Sequence, residues 1–448
     1  MTYAAINRRE FLSAAGLTGG ACLAACLAKS AARSSSEQSA NQAALLEQAR
    51  RGIIQHRQGE AVIRVTDAGG QPVTGYRLKA TQLTHDFRFG CYLTFRELPP
   101  EGRDIYRRSF SRLFNYATLG IYWRLIQSDS APPDWNQIKA ETEFAGSAKL
   151  RLKGHPLIWG AHQAGTPRWL PQTKSELEAV MKERITDAVT RWRGTIRTWD
   201  VVNEPLDGGL FDEVLGSDYI SRAFRYAREA DATAQLVLNE YGILSAGSKR
   251  RAPYFRLLKK LKDEGAPVDA IGIQAHEPRD EWFAPAEVQA ALDQFAELGV
   301  PIHITEFTAQ ADEAAVVTGS YRNGRWNARH QADYYREFFT LCFGHPQVEA
   351  ITVWGLDDGR AWIKDCALLD QQWQPKAAFQ TLDQMINHEW RTRAELTVTT
   401  DRQRLRGFYG DYEISVKING QPEITGHFAL RRNQPGDWLI RLPGQTSS

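Results

Sequence analysis

Between residues 87 and 354 the chain repeats one alternation: a short apolar run, then a longer stretch whose apolar positions recur at helical spacing. The short runs are Phe87–Leu93, Asn115–Leu119, Leu152–Trp159, Ile196–Asn203, Gln235–Asn239, Ala270–Gln274, Ile302–Glu306 and Ala350–Trp354. Runs of this length without polar alternation suit strands buried on both faces. Helical periodicity fills the gaps, for example over residues 175–192, 218–230, 254–265, 285–298 and 328–343. Strand then helix, repeated, predicts parallel βα units of the α/β class. Eight such strands in roughly 300 residues match a (β/α)₈ TIM barrel, whose working residues sit at the carboxyl ends of the strands.

Outside the repeat the period changes. Residues 43–58 read as a short amphipathic helix, Glu60–Thr66 alternates as a strand before the turn Asp67-Ala68-Gly69-Gly70, and a second strand follows at Tyr76–Leu83. Strand-like runs return at residues 394–399, 404–408, 412–418 and 427–431, separated by Asn-Gly, Gly-Asp and Pro-Gly turns. The predicted division is a helix and β-hairpin over 45–84, the barrel over 85–388, and a C-terminal β-segment over 389–448 that packs with the hairpin.

The first 30 residues read as an address. Asn7-Arg8-Arg9-Glu10-Phe11-Leu12, followed by a Gly/Ala/Leu-rich stretch to Leu27, has the form of a twin-arginine export signal. Leu23-Ala24-Ala25-Cys26 also has the form of a lipobox, which would leave Cys26 acylated and the protein attached to a membrane. Cleavage by an ordinary peptidase, discarding Cys26, is the alternative. Residues 31–44, rich in Ser, Ala and Gln, then form a linker. The expected location is periplasmic, membrane-anchored or extracellular. Beyond the signal the cysteines are Cys91, Cys342 and Cys366; no zinc spacing fits them, and Cys342 with Cys366 is the candidate disulfide.

A net charge of +2 with acids and bases interspersed argues against a nucleic-acid partner, while 13 Trp supply flat amphipathic faces of the kind that stack on sugars. The chemistry points the same way. Trp199-Asp200-Val201-Val202-Asn203-Glu204-Pro205 is a buried strand that Pro205 stops, leaving Glu204 at its end. Ile302-His303-Ile304-Thr305-Glu306 likewise closes on a carboxylate. Two strand-end carboxylates are the minimum for splitting a glycosidic bond, one to protonate the leaving oxygen and one to attack the anomeric carbon.

Over roughly residues 85–385 the chain resembles the endo-β-1,4-xylanases of glycoside hydrolase family 10. The matching residues are Gly154-His155-Pro156-Leu157-Ile158-Trp159, Trp199 to Pro205, Ile271-Gly272-Ile273-Gln274-Ala275-His276, Ile304-Thr305-Glu306, and Val353-Trp354-Gly355 with Trp362. The resemblance implies a barrel and a retaining double displacement, with Glu204 as acid/base and Glu306 as nucleophile. Asn203 would then donate to the sugar 2-hydroxyl; His155, Gln274 and His276 would hold sugar hydroxyls and the nucleophile; Trp354 and Trp362 would wall the reacting sugar. Trp159 and Trp199 read as core at least as well, and His303 as a structural residue.

Departures from the family pattern bear on specificity. The Glu-Asn pair and Lys expected after the second strand are replaced by Leu119-Gly120-Ile121-Tyr122-Trp123-Arg124, where only Arg124 keeps a donor. Gly160 stands for a His, Thr308 for the Asp that usually partners His276, and Asn239-Glu240-Tyr241-Gly242 for Asn-Asp-Tyr-Asn. The expectation is a monomeric retaining endo-β-glycosidase that needs neither cofactor nor metal and acts on a β-1,4-linked, xylan-like polysaccharide or oligosaccharide with altered specificity. Two readings of other classes stand beside it: a binding-only descendant, and a metal-dependent barrel hydrolase using His155, His276, Glu204 and Glu306 as ligands.

Overall fold

The computed structural model describes residues 40–443 apart from 163, 246, 277–281, 312–315, 318–323 and 435. The signal features at Arg8, Arg9 and Cys26 and most of the proposed linker lie outside the described residues.

Eight parallel strands form the centre: Arg88–Leu93, Tyr116–Gly120, Arg151–His155, Ile196–Asn203, Gln235–Glu240, Ala270–Ala275, Ile302–Phe307 and Val348–Val353. Each pairs with the next, and the eighth pairs with the first through Ala350↔Arg88 and Val353↔Cys91, which closes the barrel. The two-residue strand Ile158–Trp159 prolongs the third and pairs with the fourth. A helix follows every strand, from Pro100–Leu113 after the first to Ala377–Gln384 after the eighth. Apolar residues at helical spacing, such as Leu177, Met181, Ile185, Ala188 and Val189, face inward and are buried.

The barrel interior is polar toward its amino end. Arg88 donates to Gln235 at 2.7 Å and lies 3.0 Å from His303 Nε2, with Glu349 at 3.6 Å from the guanidinium. His303 is therefore a buried structural residue. Burial and the nearby Arg88 pull its pKa down to about 4, against Glu349, which keeps the ring neutral.

Both chain ends build a β-sandwich beside the barrel. Gln58–Thr66 is the centre strand of one sheet, antiparallel to Gln403–Phe408 and parallel to Gly436–Arg441. Tyr76–His85 lies between Arg393–Val398 and Gly410–Lys417 in the other, with Ile424–Leu430 at its edge. The predicted N-terminal hairpin is thus corrected: its two strands belong to different sheets. Each alternates buried and exposed residues, and the apolar faces are satisfied by opposing one another, so that Ile63, Val65, Leu78, Ala80, Tyr412, Ile414 and Trp438 share one core. Arg57, at the end of a helix over residues 40–57, ties this unit to the barrel by donating to the carbonyls of Phe343 and Val348 at 2.7 Å each.

The disulfide expectation is also corrected. Cys91, Cys342 and Cys366 are all free and buried, and burial pushes the Cys366 thiol up to about 12. They pack as small apolar side chains.

Candidate active site

Each site residue is placed by the way its strand ends. The fourth strand stops at Asn203, and Glu204 then turns into the left-handed region at φ 54° and ψ 51°, a conformation that costs a non-glycine residue free energy and persists only where neighbours enforce it. The enforcement is visible. Glu204 N–H donates to Asn239 O at 2.8 Å, and Leu206 N–H donates to the buried Glu240 carboxylate at 3.0 Å. On the seventh strand the pairing with the sixth slips between Ile304 and Glu306, a bulge that re-aims the carboxylate. Thr305 and Glu306 consequently both reach Asn239, at 2.6 Å and 2.8 Å.

A chain of amides joins the two carboxylates. Asn239 Nδ2 donates to Glu306 Oε1 and to Asn203 Oδ1, each at 2.8 Å. Gln274 Nε2 donates to Glu204 Oε1 at 2.9 Å and approaches Asn203 Oδ1 at 3.4 Å. Because the Asn203 oxygen accepts from both sides, its NH₂ group is oriented as a donor into the cleft. Trp159 Nε1 donates to Glu204 Oε2 at 2.9 Å, so this Trp serves the site as well as packing. Trp199 is core, fully buried against Gly154, where an added Cβ would lie 2.3 Å from the indole.

The carboxylates are driven apart in acidity. Burial pushes Glu204 above the usual carboxylate range, with the Glu306 charge adding to the effect and Gln274 opposing it. Burial works on Glu306 in the same direction, but His155 and the His276 hydrogen bond outweigh it and hold the carboxyl below that range. The arrangement offers a protonated acid beside an ionised carboxylate, the pairing that acid/base and nucleophile roles demand.

Beneath them lies a group that sequence reasoning did not weigh. Lys153 Nζ sits 2.7 Å from Asp200 Oδ2, which also accepts from His155 Nδ1 at 2.8 Å, and His155 Nε2 is 3.8 Å from Glu306 Oε1. Burial disfavours charge on Asp200, but Lys153 and His155 prevail and keep it ionised. The signal was present: a Lys and an Asp inside apolar strand runs need each other as partners.

The cleft above holds about 670 Å³ and is lined by His155, Trp159, Asn203, Glu204, Gln274, His276, Glu306, Trp354 and Trp362. Its walls add Tyr92, Tyr122, Asp207, Tyr241 and Arg360. Trp354 is nearly buried, with its ring 5.1 Å from that of His155, whereas Trp362 is 57% exposed, with its ring 4.8 Å from that of His276. Arg124 lies elsewhere. It lines a neighbouring groove of about 340 Å³ with Leu125 and Ala164, which shares Tyr122 and Trp159 with the main cleft. Ile121 and Trp123 of the same stretch are buried, and Trp123 stacks near Phe211 at 6.2 Å. The four residues of the metal reading are held in hydrogen bonds to one another and to neighbours, and among the described residues no group of three or more His, Cys, Asp or Glu is disposed to hold a metal ion.

Comparisons with known proteins agree with this geometry. The sequence model described as Glycosyl hydrolase family 10 matches residues 80–385. Endo-1,4-beta-xylanase B of Thermotoga neapolitana is 28% identical over 344 residues, covering 73% of this chain and 96% of that protein. Endo-1,4-beta-xylanase 2 of Arabidopsis thaliana is 26% identical over 392 residues, 86% of this chain but only 35% of that longer protein. Among solved structures, xylanase 10B from Thermotoga petrophila RKU-1, in complex with xylobiose, aligns with a TM-score of 0.58 at 27% identity, covering 68% of this chain and 95% of that one.

Proposed function

This chain belongs to glycosyl hydrolase family 10 and is a glycoside hydrolase, and from that premise we propose that it is a retaining endo-β-1,4-glycosidase of xylanase type, with Glu204 as acid/base and Glu306 as nucleophile. The observation that carries the assignment of roles is the split in acidity between two carboxylates on one amide network. Glu306 attacks the anomeric carbon while Glu204 gives its proton to the leaving oxygen; Glu204, now ionised, then takes a proton from the water that releases the sugar. Asn203 donates to a hydroxyl of the reacting sugar as positive charge grows on the ring, and Trp354 and Trp362 wall it.

The test is azide rescue. Glu306→Ala should lose turnover by several orders of magnitude and recover part of it with azide, giving product of inverted configuration, because the anion attacks from the vacated side. Glu204→Ala should keep its first step on substrates with activated leaving groups and yield a glycosyl azide of retained configuration. Wild-type rates in both variants would remove these residues from the mechanism.

The specificity is altered in this reading. The wall after the second strand presents the ring of Tyr122 where the family pattern has hydrogen-bonding groups, while Arg124 stands in the adjoining groove. Sugar hydroxyls pressed against that ring lose water without gaining partners. Linear xylo-oligosaccharides should therefore be cleaved with lower kcat/KM than β-linked glycans carrying acidic side groups, whose carboxylates the Arg124 guanidinium can pair. Efficient cleavage of the linear substrates, unchanged in Arg124→Ala, would refute it.

A further inference from the structure

The partner of His276 separates this site from one built on a carboxylate. His276 Nε2 lies 3.0 Å from Glu306 Oε2, and its Nδ1 lies 3.0 Å from the hydroxyl of Thr308, two residues past Glu306. All three residues are at least nine-tenths buried, and Thr308 is anchored by its own N–H to Ala275 O at 3.2 Å. Among the described residues, what faces the imidazole is Glu306 and Thr308 from the seventh strand and its continuation, and the rings of Trp354 and Trp362 from the segment after the eighth. His155 stands across Glu306, and Glu204 beyond Gln274 on the sixth strand.

An ionised Glu306 accepts only, so the 3.0 Å contact requires a proton on Nε2. In a neutral imidazole Nδ1 is then bare and needs a donor. A hydroxyl supplies one; a carboxylate cannot, and would draw the single proton to Nδ1, turning a lone pair toward Glu306. The hydroxyl also accepts, so it serves the protonated ring equally well.

Resting on the reading of Glu306 as nucleophile, we propose that Thr308 is a positioning residue that fixes His276 as the Nε2–H tautomer, so that the nucleophile keeps its hydrogen bond whether the imidazole is neutral or charged. A threonine at this position therefore keeps the contact with Glu306 at alkaline pH. An aspartate would make the same contact conditional on the imidazolium.

The direct test is the ¹⁵N NMR spectrum of the histidine rings in the whole enzyme, which separates protonated from bare nitrogens. Where the ring is neutral, the wild type should show Nε2 protonated and Nδ1 bare, and Thr308→Asp the reverse. A protonated Nδ1 with bare Nε2 in the wild type, or a doubly protonated ring throughout, would overturn the proposal. Kinetics supply the second arm. Thr308→Val keeps the volume and removes the donor, and should lower kcat roughly three- to ten-fold with little change in KM. Thr308→Ser keeps the donor and should restore the rate. The opposite ranking, Val normal and Ser impaired, would mean that Thr308 acts by packing alone. In Thr308→Asp, kcat measured with an activated leaving group should fall toward alkaline pH relative to the wild type, and parallel profiles would count against the proposal. These outcomes are separable from the nucleophile assignment: full activity in Glu306→Ala removes that assignment and leaves the tautomer measurement standing.

Discussion

At the scale of single residues, either Glu204 or Glu306 alone reads as a solvated or ion-paired strand end; it was the two together, with the motifs around them, that marked a candidate site, and the structure brings both to one amide network. Of the groups that tune them, His155, Gln274 and His276 were picked out with their motifs, whereas Asn239 was not. Asn239 lies on the fifth strand, Gln274 on the sixth and His276 just past its end, and only closure of the barrel brings them to the carboxylates. The stretch after the second strand was unreadable for a related reason: Trp123–Ile126 forms one helical turn that buries Trp123 and Ile126, and a run of bulky residues does not announce which of them that turn directs inward. The tuning has a measurable consequence. Glu306 is held below the usual carboxylate range; if it is the nucleophile, as proposed, it must be ionised, so activity should be gained as pH rises through its lowered pKa. Glu204 is held above that range; in the proposed acid/base role it must start protonated, so activity should be lost as pH rises through its raised pKa. The kcat/KM profile should therefore be bell-shaped and wider than two free carboxyls allow, and the alkaline limb should disappear in Glu204→Gln with an activated leaving group. An alkaline limb that survives in that variant would detach it from Glu204.

Elements explain what residue types alone do not. All eight barrel strands were predicted within a residue or two at most ends, since fully buried strands leave an unbroken apolar trace. The bulge at Thr305 and the left-handed turn at Glu204 leave no such trace, because both are enforced by neighbouring strands. Gly160 is a further case, read from sequence only as a missing His. Its carbonyl accepts from Leu210 N–H at 3.1 Å, and a Cβ there would lie 2.5 Å from Gly208 O, while one on Gly209, at φ 96°, would lie 2.2 Å from Gly160 O. Two backbones are in direct contact, holding the segment that follows Glu204 and Pro205. Gly160→Ala should force that segment outward and lower kcat at least ten-fold, with a fall in stability of roughly 1–3 kcal/mol. A variant with wild-type kcat and melting temperature would show that the contact is slack.

For the whole molecule, sequence periodicity revealed strands at both ends but not their partners. Alternation specifies which face is buried and is silent on whether a strand meets its neighbour edge to edge or face to face. The answer makes the sandwich a joint product of the termini, with five of its seven strands drawn from beyond residue 390. Removing residues 391–448 should expose Ile63, Val65 and Leu78 and leave both N-terminal strands without partners. The shortened chain is expected to be largely insoluble, or to melt well below the full chain where it can be recovered; an unchanged melting temperature would show that the barrel stands alone.

The pairing of Ala61 with Gly436 also sets a clock. Ribosomes add about 5–20 residues per second, so the strand ending at Thr66 waits roughly 20–75 s for the one ending at Arg441, while the barrel between them is being made. Until residues 393–417 are made, Gln58–Thr66 and Tyr76–His85 are open ladders, available to any other extended chain. The nascent protein is thus open to misassociation at residues 58–85 for most of the barrel's synthesis, and the last of that edge is covered only when residues 436–441 arrive.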